Sequence, residues 1–177
     1  NVIAADNWMP GAAASANIED LTGNAVIVSN VTNPTITSAT YDVATGALVV
    51  TGTDFRKQPG LSNDVDLSLF TITGQGGATR NLSAASDVEI TSGTSFTATL
   101  SGIEKTAVDA LINNNGTVAD DSTPYNLAAA DNWMAGAAAS VDIADLTGNS
   151  ITASNVPDAD GNLGASVLVS EPVGLST

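Results

Sequence analysis

Residues 35–53 read TITSATYDVATGALVVTGT, and this stretch decides the fold class. Ile36 to Tyr41 alternate in part, Ala44-Thr45-Gly46 offers a turn, and Ala47 to Thr51 run back, which is the pattern of a β-hairpin. Val and Thr suit the pleated, half-buried surface of a strand, while Gly and Asn suit its turns. Downstream, DFRKQPGLSNDV (54–65) is a loop rich in turn residues. Asp66 to Thr73 alternates again, with Leu67, Leu69 and Thr71 on one face and Phe70 and Ile72 on the other. Gly74-Gln75-Gly76-Gly77 is a turn, and Ala78 to Leu82 is a short strand. Val88 and Ile90 alternate with Glu89 and Thr91. Ser92-Gly93-Thr94 then turns the chain into Ser95–Leu100, where Phe96, Ala98 and Leu100 share a face. Tyr125–Ala129 and Ile151–Val156 complete the set of strands.

One segment departs from this period. Ile103, Ala107, Ala110, Leu111 and Ile112 fit the stripe of a short amphipathic helix around 103–113. Ser101 and Glu104 have the spacing of a capping box. Asn113-Asn114-Asn115-Gly116 ends the helix, because Asn and Gly tolerate the left-handed backbone a C-cap uses. Seven or eight short strands plus one helix predict an all-β fold, mainly an antiparallel β-sandwich of Greek-key, Ig-like type. A partly parallel β-solenoid is the alternative, but the repeat described next is far longer than one solenoid coil.

Residues 1–31 (NVIAADNWMPGAAASANIEDLTGNAVIVSNV) and 126–156 (NLAAADNWMAGAAASVDIADLTGNSITASNV) match at 21 of 31 positions, at a constant offset of 125 and with no gap. The chain is thus expected to divide into the end of one repeat (1–31), one complete repeat (32–156) and a linker or start of a next unit (157–177). Pro34 and Pro157 sit at the junctions, where they stiffen the chain. Trp8, Ile18, Leu21, Val26 and Val28 form the apolar set of residues 1–31 and mark a candidate assembly surface. It would complete a preceding repeat, or dock on an identical subunit head-to-tail by strand addition. Trp133, the twin of Trp8, reads as a core anchor for an alanine-rich excursion rather than as a ligand platform.

The charge is one-sided: four basic residues (Arg56, Lys57, Arg80, Lys105) stand against 19 acidic ones, a net charge of −15. Such a surface repels phosphate backbones and anionic membranes, so nucleic acid is a poor partner. No apolar run has the length of a membrane span. There is no cysteine, which excludes disulfides and thiol chemistry, and no histidine, which excludes a Ser-His-Asp triad. The Gly74–Gly77 run lacks the lysine of a phosphate loop and reads as a hairpin turn. No catalytic residue is assigned.

Divalent cations are the ligands that the acidity favours. Asn63, Asp64 and Asp66 bring three oxygen side chains within four residues, a candidate Ca2+ loop. Asp131, Asp142 and Asp145 form a second acidic group. The tail segment DADGN (158–162) starts like an EF-hand loop. It then fails, because Leu163 stands where Gly is needed and Val169 where the bidentate Glu belongs.

The runs ATYDVATGALVVTGTDF, NDVDLSLFTITGQGGATRNLSAASDVEITSGTSFTATL, YNLAAADNW and IADLTGNSITASNV resemble a tandem repeat of very large bacterial extracellular adhesins and related exoproteins, often exported by type I secretion. The resemblance covers nearly all of 32–156, and 1–31 as well. It implies an extracellular, cell-surface structural repeat in an adhesin stalk, fibre or surface layer, whose partners are neighbouring repeats or identical subunits. The glycine- and aspartate-rich nonapeptides of RTX toxins are absent. The alternative function is an adhesion module that binds a glycan or protein ligand through its loops.

Overall fold

A one-residue irregularity in the first strand sets which side chains enter the core. The computed structural model describes residues 2–5, 8–9, 17–23, 32–138 and 140–157, in two units divided at 32/33. In the second unit, β1 (Thr35–Asp42) pairs antiparallel with β2 (Ala47–Thr53), and the register shifts between Ile36 and Ser38. Side chains of a strand alternate between faces, so the shift moves the inward set from Ile36 to Ala39 and Tyr41. Leu48 and Val50 of β2 face the same interior. This is why the alternation read from the sequence over Ile36–Tyr41 was only partial.

The larger sheet has the order β5-β6-β2-β1-β8, with β5 at Ile90–Ser92, β6 at Ser95–Thr99 and β8 at Ile151–Ser154. Its pairs are antiparallel except β1–β8, which is parallel, Ala39 lying opposite Ile151 and Asp42 opposite Ser154. The smaller sheet, β4-β3-β7, is antiparallel throughout, with β3 at Phe70–Thr73, β4 at Thr79–Asn81 and β7 at Asn126–Ala129. Phe96, Ala98, Ile151 and Ala153 of the large sheet and Phe70, Ile72, Leu127 and Ala129 of the small one are buried in a single core. The described residues are thus mainly strands in two sheets with one short helix, a β-rich fold.

Two local expectations change. Asp66–Thr73 is not one strand. Asp66 accepts the backbone N–H of Ser68 and closes a 3-10 turn over Leu67–Leu69 before β3 begins. The turn breaks the alternation, so Leu67 is buried with Phe70 and Ile72 rather than opposite them.

The helix α1 spans Gly102–Leu111, within a residue or two of expectation, but its buried face is only partly the expected one. Ile103 is 76% exposed, and the buried stripe is Glu104, Val108 and Ile112 at spacings of four. The capping box is not formed, since Ser101 makes no side-chain cap. Glu104 turns inward instead, accepting Nε–H of Arg80 at 2.7 Å and the backbone N–H of Ala84 at 2.8 Å. A charge met by two donors is tolerable in an interior that would otherwise exclude it. On the other flank, the hydroxyl of the buried Tyr41 donates to Asp109 at 2.8 Å, and Asp109 also holds Lys105 at 2.6 Å. Burial, then the neighbouring Asp109 carboxylate, pushes the Tyr41 phenol far above its usual range, so it stays a donor.

Candidate functional site

The repeated segment 126–156 is where the second unit is sealed. Trp133 is fully buried, with Phe55 and Phe70 edge-on to it at ring-centroid distances of 5.5 and 5.6 Å and Phe96 at 6.3 Å. Such a ring contributes apolar burial of a few kcal/mol, to which edge contacts add about 0.5–1.5 kcal/mol each. Its indole N–H donates to the Ile143 carbonyl at 2.9 Å, which closes the alanine-rich excursion between them. Met134 is buried beside it and its Sδ accepts the Arg56 N–H. Gly136 lies so close to Arg56 that an added Cβ would stand 2.3 Å from the Arg56 carbonyl oxygen. Trp133 is therefore core, as its setting in the sequence suggested.

The acidic candidates are set to work on backbone. Asp64 is fully buried; one oxygen accepts the N–H of Gln58 and the other that of Ile90 at 2.9 Å. Asp66 caps the 3-10 turn through Ser68, at 2.9 Å from its N–H and 2.6 Å from its hydroxyl. Asn63 is exposed and donates to the Pro59 carbonyl. Asp131 accepts the N–H of Ile143 at 2.9 Å. Asp142 is exposed and accepts the N–H of Ala144. Asp145 joins the two ends of the unit, accepting the Ile36 N–H at 2.8 Å across 109 residues while its other oxygen accepts from the buried Asn149. Among the described residues no three acidic side chains gather as a metal-ligating group.

Two of the four basic residues, Arg80 and Lys105, are in ion pairs inside the unit, at 2.7 and 2.6 Å. The hydrogen bond from Arg80 is the main reason the Glu104 carboxyl lies below its usual range. A small hollow opens between residues 84–88 and the start of α1, and its one acid is this same Glu104. It offers no uncommitted acid or base.

Among its described residues the first unit repeats two contacts of 126–148. Ala4 and Asp20 exchange backbone hydrogen bonds at 2.9 and 2.8 Å, as Ala129 and Asp145 do at 2.8 Å each. The Trp8 indole donates to the Ile18 carbonyl at 2.8 Å, the counterpart of Trp133 to Ile143. The environments differ. Trp8 is 55% exposed and Met9 48%, where Trp133 and Met134 are buried. Val2 and Ile3 are exposed as well. Leu21 is exposed, but so is its twin Leu146 inside the complete unit, so that position is solvent-facing by design of the loop. Val26 and Val28 lie outside the described residues, as does the 158–162 segment.

Met134, Gly136 and the Asp145–Ile36 link went unnoticed in the sequence, although all three positions carry the same residue in both copies: Met9, Gly11 and Asp20. Comparison with protein-family models, with curated proteins and with solved structures finds no match.

Proposed function

We propose that this chain is a structural repeat of a bacterial extracellular surface protein, a unit made to be strung in series as adhesin stalk, fibre or surface layer. The observation that carries this reading is the 125-residue repeat. Its two copies agree not only in sequence but in the Trp–Ile and Ala–Asp hydrogen bonds of their loops. Series repetition of one self-contained unit serves reach and assembly rather than a reaction centre. In this reading the two sheets are the layers of a β-sandwich of Greek-key, Ig-like kind. The edge-on contact of Phe70 from the small sheet with Phe96 from the large one, 5.9 Å between centroids, supports that arrangement. Strong net acidity and a cysteine-free sequence suit an exported chain that stays soluble without disulfides.

The exposed Trp8 favours a second reading, an adhesion module in which that ring stacks on a glycan or grips a protein ligand. Electron microscopy of native material, with antibody against residues 33–157, separates them. Label at intervals along threads or a lattice on intact cells supports the structural repeat; label only after permeabilisation contradicts it. Saturable glycan binding lost on Trp8→Ala would favour the second reading.

A further inference from the structure

Among the residues that 1–31 share with 126–156 are five that the complete unit uses to grip its own residues 33–125. Ala129 lies opposite Phe70 in the sheet; Trp133 meets Phe55 and Phe70; Met134 and Gly136 meet Arg56; Asp145 holds Ile36. Their twins are Ala4, Trp8, Met9, Gly11 and Asp20, identical in all five places. Some positions that face solvent in the complete unit differ: Asp142, Ala144 and Thr152 become Asn17, Glu19 and Ile27, although Leu146 and its twin Leu21 are the same. The three nearest atoms that a Cβ at Gly136 would meet all belong to Arg56, so the Arg56 backbone calls for glycine there. A segment that keeps these side chains while Trp8, Met9 and Val2 stand exposed keeps them for a scaffold like 33–125.

We propose that residues 1–31 complete another unit, whose scaffold, of the 33–125 kind, directly precedes Asn1 in the same chain. Trp8 then enters a cage of three phenylalanines, and the Val2–Ala4 stretch pairs with a strand equivalent to β3. Linkage in one chain favours this occupant over a separate molecule. In a separate molecule the site is already filled by its own tethered 126–157, which competes at high effective concentration. One bond is given up: Ala135 donates its N–H to the Asp64 carbonyl, and Pro10 in its place has none to give. The inference rests on the repeat reading above, but concerns folding alone.

The test grafts a copy of residues 33–125 immediately before Asn1 of the full 177-residue chain, so that position 125 runs into the residue equivalent to 126. The expected result is a monomer with a second cooperative unfolding transition, in which acrylamide quenching of Trp8 falls to the level of Trp133. Trp8→Ala and, separately, Gly11→Val in the grafted chain abolish that transition, whereas Leu21→Ala leaves it in place. The inference is overturned if Trp8 in the grafted chain stays as quenchable as in the ungrafted one, or if Leu21→Ala is as damaging as Gly11→Val. It is equally overturned if the ungrafted chain forms oligomers that Trp8→Ala dissolves, since the scaffold would then be supplied by a second molecule. Success of the graft with antibody label confined to permeabilised cells would sink the extracellular reading and leave this one standing.

Discussion

The carboxylate of Asp64 reaches 26 residues along the chain to accept the backbone N–H of Ile90 at 2.9 Å, with its other oxygen on Gln58. It ties the loop before the 3-10 turn to the first residue of β5, and does so from full burial. Asp64→Asn puts an amide NH2 where one of the two donors points and leaves a buried N–H unmet. A loss of about 1–3 kcal/mol follows. Urea unfolding in excess calcium and in chelator should show the same loss in both, because the carboxylate serves backbone. A loss present only in calcium would mark Asp64 as a metal ligand.

The ion pair between Glu104 and Arg80 predicts an acid limb. The folded-state pKa of Glu104 lies below the usual 4.5, so its contribution is fully present above that value and fades as pH falls through the lowered one. Unfolding free energy measured from pH 6 downward should decline below about pH 4.5 in the parent chain. Glu104→Gln should be less stable by about 1–3 kcal/mol near neutrality and decline less steeply in acid. Parallel curves for the two proteins would contradict the assignment.

Gly136 and Gly148 separate two reasons for glycine. A Cβ at Gly136 meets backbone at 2.3 Å, whereas Gly148 has open space but a φ of 87°. Overpacking against a fixed carbonyl costs about 1–3 kcal/mol, and a left-handed alanine about 1–2 kcal/mol. Gly148→Asn should recover most of the loss seen in Gly148→Ala, because Asn tolerates that backbone; Gly136→Asn should recover none. Thermal melts of the four variants decide it.

Much of the fold was legible because strands bury alternate residues. Phe96, Ala98 and Leu100 share the interior as their spacing required, and the hairpin over 35–53 stands where its turn residues placed it. What escaped depended on partners far away in sequence. The parallel pairing of β8 with β1 joins segments more than 100 residues apart and leaves no local mark. The helix was found, and Ile112 and Leu111 of its expected stripe do meet the core, but Ile103 does not; an apolar stripe gives no weight to Glu104, whose burial depends on Arg80 and Ala84. Composition shows the carboxylates of Asp64, Asp66, Asp131, Asp142 and Asp145 but hides the backbone N–H groups that face them. Only the internal repeat carried information on long-range contacts, through the positions it keeps.

Trp133 and Trp8 should differ in weight. Trp133→Ala empties a cage of three rings and should destabilise the 33–157 unit by about 3–5 kcal/mol. Trp8→Ala removes a ring that is more than half exposed and should leave the unfolding midpoint of that unit unchanged. Equal effects of the two substitutions on denaturant curves would contradict this division.

The central claim, that one repeated segment holds its tryptophan buried at Trp133 and exposed at Trp8, is tested most directly by acrylamide quenching of the two tryptophans in the 177-residue chain. The parent protein should show two emitting populations, one accessible and one shielded. Trp8→Phe should remove the accessible population alone, leaving the buried emission of Trp133. A Trp8→Phe protein that quenches as readily as the parent, or a parent with both rings shielded, would contradict the account.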